Sequence, residues 1–486
     1  MTAEDLTAGF SDIERALAEA RLKSISPDDG KYAKESAALV PYLSAHAEWL
    51  GCVRVQEVLL ETRIEFGQAP LHSLVELRAA IQKIDPLNIS LLEEKVTRHD
   101  QLAVLEEIGR HVSEGTKALL HPGTTSYDIL DTARAYLYKG AWFDVMQPAV
   151  CKTIGTLCDL AEQYKDVLQV GRTHLQTTAP VPFGLTLSAY ARRLVDRMVV
   201  CDIAFSGLQG KISGIVGTGA SVSMVVGDRT AEFEKSVLEK LHLEPDYTAT
   251  QIVQKEGLAD VGHALVTLMG VLGDFANDIR ILYSSEIKEV GSSDGARRLG
   301  GSSADAAKDN PINFENIAGK YVVVQRNMAV LYAMIQSDLQ RDLRGSVQAR
   351  YVPEMMAETY ESFCRVNKAF ETFCVLEENM QRNLQSFRDF PSEAMVAITR
   401  AHGYTHPTYG VGHDAVKKFS QQAKQERCGL LGIALEDQHF REFFETLPDI
   451  QRQILRGRAE LYTGFSQSRI QENVRYAKNI ISGETT

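Results

Sequence analysis

The chain has 486 residues, a net charge of −12 and a pI near 5.6, with 44% hydrophobic and 24% charged residues. That length exceeds one ordinary core, so two or three domains are expected unless a long helical bundle unites them. The acidic balance argues against a nucleic-acid binder, which needs a basic face, but it leaves room for a local basic pocket for a small anion.

The first 24 residues carry acids early and have no apolar h-region, so they do not read as a signal peptide. No uninterrupted apolar stretch reaches the length of a membrane span. Seven cysteines, at 52, 151, 158, 201, 364, 374 and 428, are odd in number and form no CxxC pair. A disulfide framework or structural zinc site is therefore not expected, and a reducing cytoplasm fits.

Along the chain, TRHD at 97–100 places Asp100 where it could orient or charge His99. GTTSYDILDTA at 123–133 sets hydroxyls before a helix start, which suits either a plain N-cap or an anion held by free amides. Apolar residues then recur at three and four from Ser126 to about Lys165, predicting one helix that Pro148 should kink. GRTHLQ at 171–176 sits in a polar segment, 168–180, that reads as a loop. Its His174 suits proton transfer near neutral pH, although a lone histidine is more often structural.

Further long helical runs cover roughly 180–208, 251–288, 314–341 and 352–388. Five glycines fall in 207–222, and 291–303 is rich in glycine and serine. The loop GSSADAAKDNPINFE, 301–315, offers Ser302, Ser303, Lys308 and Asn310. Such a loop can fold over a carboxylate and exclude water; on residue types alone a solvated linker is an equal reading. RDLRGSVQAR at 341–350 is a basic helix end that could cradle a phosphate through Arg341, Ser346 and Arg350. The last hundred residues change to shorter helices around HGYTHPTYGVGH. These shifts divide the chain into an N-terminal helical domain, 1–120, a central helix-bundle domain, 121–375, and a C-terminal helical domain, 376–486. No P-loop, GxSxG elbow, HExxH or clustered Cys/His set occurs, and GTGASV lacks a dinucleotide-type third glycine, so no metal or nucleotide cofactor is expected.

Eight segments in this order, SPDDGKY, TRHD, TSYDI, GRTH, GKISGIVG, TATQI, GSSADAAKDNP and QRDLRGS, resemble the fumarase/aspartase superfamily over about residues 26 to 480. The match is nearest to its adenylosuccinate lyase branch. The resemblance implies a three-domain, nearly all-α fold with a central five-helix bundle. Four chains would join into a twenty-helix core, and each active site would be shared among subunits. It also implies cofactor-free β-elimination that releases fumarate from a succinyl-purine nucleotide.

By the same resemblance, Ser302 corresponds to the general base, His174 to the acid on the leaving nitrogen, and His99 to a second histidine near the phosphate. Lys308, Asn310, Thr125 and Ser126 would stabilise the carbanion. Gln251 would contact the succinyl part. Lys31, Tyr32, Arg341, Ser346 and Arg350 would hold the phosphate. Arg98, Asp100, Thr173 and Ser303 complete the expected binding set. This chain departs from the pattern at Asp305-Ala306-Ala307, where Met-Pro-His is usual, at Lys31 for arginine, and at Leu299. Those departures leave open another succinyl or aspartyl adduct as substrate, or a structural homologue without catalysis.

Overall fold

A computed structural model describes residue 24 and residues 26–293, 308–387 and 390–483. It is nearly all helical, with only four two-stranded β-ladders among the described residues. The all-α expectation therefore holds. The chain separates into two compact units, Met1–Val150 with Asp196–Gly273 and Asn316–Asn367, and Cys151–Val195 with Asp274–Glu315 and Lys368–Thr486.

In the first unit, Ser44 caps the Ala45–Glu65 helix by accepting from the Ala47 amide. This helix packs on the Ser126–Gly140 helix at Gly51, where a Cβ would lie 2.9 Å from Leu137 Cδ1. Val53, Val55, Val58 and Leu59 are buried on more than one side of it, and each side chain so buried contributes roughly 1.5–3 kcal/mol. Where a kink is expected at Pro148, the helix type changes just before the proline. A π-helical stretch, Ala141–Met146, separates Ser126–Gly140 from Gln147–Gln163. Its wider turns leave room for the proline ring, and the Gln147 amide donates five residues back, to Trp142 O. Trp142, buried in that stretch, donates to Asp202 at 2.7 Å and stacks on Phe205.

The helix Glu256–Tyr283 meets Ile312–Met334 at Gly262, facing Leu331. By length and composition Glu256–Tyr283 could cross a membrane, contrary to the reading that no stretch is long enough. However, 61% of its apolar window is buried within the fold, as in a core helix.

In the second unit the segment expected to be a loop is an antiparallel hairpin, Leu168–Thr173 with Gln176–Pro182. In the second strand buried Pro180 and Pro182 alternate with half-buried Ala179 and Val181, a period-2 signal too short to stand out beside long helices. The run predicted as one helix over 352–388 breaks after Phe370. A short strand, Phe373–Val375, pairs with Val290–Ser292, and a new helix runs Glu377–Ser386. The C-terminal helices enclose Met395, Phe419, Phe440 and Phe444. His406 latches their connecting hairpin: its Nδ1 accepts from the Thr408 and Tyr409 amides, and Nε2–H donates to Asp437 at 3.1 Å.

Candidate active site

Part of the expected set gathers at the start of the Ser126–Gly140 helix in the first unit. A π-helical turn, Glu93–Thr97, ends at Arg98 in the left-handed conformation, and His99 then caps the Asp100–Gly109 helix. This tight reversal leaves His99 Nε2 3.2 Å from Ser126 Oγ, while Nδ1 lies 3.2 Å from Asp100 Oδ1. TRHD and TSYDI thus meet as one imidazole–hydroxyl–carboxylate group. Next to Ser126, the Tyr127 hydroxyl donates to Ser346 at 3.1 Å, and the Arg341 guanidinium lies 3.8 Å over the Tyr127 ring. Arg341 Nη1 donates to Gln251 Oε1 at 3.1 Å. Ser126, Gln251, Arg341 and Ser346 are therefore linked through Tyr127. The buried ring fixes the guanidinium plane and leaves its other donors for an anion.

Asp128 holds this helix start in place. Fully buried, it takes an ion pair from Lys211 and accepts from the Thr125, Ser213 and Gly214 amides. GKISG is thereby bound to the first turn. Gly217 lies beyond it at φ +79°, where a Cβ would stand 2.1 Å from Ala249 O. The glycines here serve close backbone approach. A second buried pair, Lys255 to Asp131 at 2.8 Å, fixes the segment after Gln251.

Two residues that the sequence reading passed over join the group. Glu93 feels Asp100, Arg350 and His99; burial, then the Asp100 charge, raises its carboxyl above the usual range, while Arg350 opposes this. This places Arg350 in electrostatic reach of the TRHD turn. His121, in the left-handed conformation ahead of Thr125, accepts from Gln56 Nε2 at 2.8 Å on Nδ1. The neutral ring then carries its proton on Nε2. Burial pulls this imidazole below its ordinary value, with Asp128 opposing. The signal for both was present as charges and a histidine within a few residues of the motifs, but neither belongs to a motif.

Lys31 and Tyr32 are placed differently. Lys31 is exposed. The Tyr32 hydroxyl accepts from Asn316 Nδ2 at 3.0 Å, and Lys320 Nζ lies 4.0 Å over its ring. Lys320 is itself buried between Glu358 and Glu361. Asp28, from the same SPDDGKY segment, brings its carboxylate within 4.8 Å of both glutamates. Burial first, then Glu358, pushes Asp28 up to about 6, and burial pushes Glu361 up to about 7 against Lys320.

In the second unit His174 and Leu175 form the two-residue turn of the hairpin, both left-handed at φ 53° and 59°. Such turns match the twist of the strands and usually carry Asn-Gly; holding two side chains there costs about 1–2 kcal/mol per residue. Thr173 and His174 are exposed at the tip. Gly171 permits the bulge below it, since a Cβ would stand 2.8 Å from Ala179 O. Lys308 is exposed, and Asn310 lines a small cleft with Gly291, Ser292 and Thr372. Ser302, Ser303, Leu299 and Asp305-Ala306-Ala307 lie outside the described residues.

A protein-family model described as lyase matches residues 42–325, more than half of the chain. The chain is similar to the adenylosuccinate lyase of Archaeoglobus fulgidus, 27% identical over 444 residues covering 88% of this chain and 94% of that one. To the adenylosuccinate lyase of Bacillus subtilis it is 32% identical over 338 residues, covering 69% and 75%. Among solved structures, a fumarate lyase from Mesorhizobium superposes with a TM-score of 0.76 at 21% identity, covering 90% of this chain and 97% of that one. A 3-carboxy-cis,cis-muconate lactonizing enzyme from Pseudomonas putida gives 0.77 at 20% identity, covering 91% and 97%. These two establish likeness of fold alone.

Proposed function

Because the chain belongs to the fumarase/aspartase superfamily of lyases, we propose that it cleaves a C–N bond by β-elimination and releases fumarate. Adenylosuccinate is the proposed substrate, with the succinyl-carboxamide ribotide of purine synthesis as a second. The observation that carries this reading is the linked array at the Ser126 helix start. One imidazole, three hydroxyls, an amide and a guanidinium are held around a helix N-terminus by buried ion pairs. Such an array suits a polyanionic nucleotide.

In the proposed reaction Ser302, as its alkoxide, takes the proton from the carbon adjacent to the distal carboxylate. The electron pair forms the fumarate double bond as the C–N bond breaks, and His174 gives a proton to the departing nitrogen. Lys308, Asn310 and the Thr125–Ser126 amides would offset the extra charge on the carboxylate before the bond breaks. His99, Arg341, Ser346 and Arg350 would hold the phosphate, joined by Lys31 and Tyr32 from the N-terminal segment. Arg98, Asp100, Thr173 and Ser303 would complete the pocket, and Gln251 would receive the succinyl group.

We further propose a homotetramer, three segments bounded near 120 and 375, a cytoplasmic setting, and neither nucleic acid nor membrane as a partner. Exposed apolar residues on long helices, Ile203 at 68% and Val322 at 61%, and Leu175 at the hairpin tip support contact with further copies of the chain.

A second reading, a superfamily lyase for another succinyl or aspartyl adduct, is favoured by Asp305-Ala306-Ala307. An ultraviolet assay with adenylosuccinate decides between them. Fumarate release at catalytic enzyme concentration supports the first. No turnover at high enzyme concentration, with fumarate formed from another aspartyl adduct, supports the second.

A further inference from the structure

We propose that Glu289 is a positioning residue for His174, setting the hairpin that carries the imidazole through a two-point ion pair with Arg172. This inference rests on the reading of His174 as the acid of the elimination. Glu289 is fully buried, and Arg172 reaches it with both terminal nitrogens, Nη1 to Oε2 at 3.1 Å and Nη2 to Oε1 at 2.7 Å. Arg172 stands two residues before His174 on the same strand.

The hairpin needs such an anchor at this point. Its register slips between Val170 and Arg172, so the two rungs Arg172–Thr177 and Thr173–Gln176 are all that lies between the bulge and the left-handed tip. A two-stranded ribbon is marginally stable alone, and a bulge bends it further. The guanidinium fork substitutes for lost ladder bonds with a fixed plane and direction.

Glu289 is itself held from three sides. Asn383 Nδ2, on the Glu377–Ser386 helix, donates to its Oε1 at 2.8 Å and to Ile287 O at 2.8 Å. The Glu289 amide donates to Leu282 O at 2.9 Å, and its carbonyl accepts from the Leu376 amide at 2.9 Å. The carboxylate is thus a fixed point to which the tip of the hairpin is referred. A buried ion pair contributes little net stability against an apolar pair of similar size. Orientation explains its presence two residues from a proton donor better than stability does.

The test is steady-state turnover of adenylosuccinate by the full-length chain, with thermal melting in parallel, for Arg172→Lys, Glu289→Gln and the double variant Arg172→Met/Glu289→Met. A lysine retains the charge and loses the fork. The inference expects kcat to fall 10- to 100-fold with KM changed less than threefold, and the limb of the kcat–pH profile set by the acid to move. The double variant should regain the melting temperature and not the turnover. It is overturned if Arg172→Lys keeps wild-type kcat and pH profile, or if turnover returns with stability in the double variant. If the wild-type chain releases no fumarate, the functional reading fails first. The positioning claim is then read from the His174 ring signals in NMR of histidine-labelled protein. Broadening or displacement in Glu289→Gln supports it, and unchanged signals overturn it.

Discussion

His174 and His99, the two histidines of the proposed site, sit on dissimilar backbones. His174 sits in a left-handed turn, while His99 is extended and caps a helix against Ser126. Replacing His174 by glutamine should lower kcat about 10²- to 10⁴-fold with the melting temperature unchanged, as expected for loss of a proton donor, whereas His99→Gln should act mainly on KM. Kinetics and melting curves on the same preparations check this. Arg341→Ala should likewise act on KM, because in the proposed reaction the guanidinium held on Tyr127 would meet the phosphate equally in ground and transition state. Asp28 and Glu361 predict a pH effect. Their carboxyls ordinarily lose protons at 3.8 and 4.5, but in the fold they do so at about 6 and about 7, chiefly through burial and next to Glu358, with Lys320 opposing. A raised folded value means that stability is fully present below the ordinary value and is lost as pH rises through the folded one. Glu361→Gln should therefore flatten the fall in melting temperature between about pH 4.5 and 7. It should also make the protein roughly 1 kcal/mol more stable than wild type at pH 8.

At the scale of elements, the Ser126–Gly140 helix and the GKISG segment act as one piece because Asp128 and Lys211 are both fully buried. Asp128→Asn leaves the ammonium without its counter-charge, so a loss of about 3–5 kcal/mol is expected in denaturant unfolding. Asp128→Leu with Lys211→Met should recover much of that stability while leaving turnover low, since Thr125 and Ser126 lose their anchor. The hairpin shows why part of the site was not legible in the sequence. GRTH is recognisable as a string, and its histidine reads as a candidate acid from residue type and resemblance. That the string closes a two-residue turn, with Arg172 directed inward to Glu289, depends on a residue 117 positions away in sequence. The same holds for Glu93 and His121, which enter the group only because the π-turn and the HPGTTS segment fold onto it.

For the whole molecule, the apolar residues left exposed on long helices predict self-association. Light scattering should report about four times the 53.9 kDa chain mass. Ile203→Glu with Val322→Glu should dissociate the assembly and abolish turnover together, because a charge on an apolar contact is not readily desolvated. If turnover survives in a monomer, active sites shared among subunits are excluded.

Helical periodicity, the order of the eight motifs and the residue types within them were already decided by the sequence, since each depends on neighbours within a few turns. They sufficed for the all-α fold, the superfamily and most of the candidate residues. Tertiary structure alone decided that TRHD meets TSYDI through His99 and Ser126, and that Tyr127 joins them to Arg341 and Gln251. It alone also decided that three buried lysines are balanced by Asp128, Asp131 and the Glu358–Glu361 pair. A charge can be buried only where its partner is brought to it, and sequence spacing carries no record of which distant acid that is.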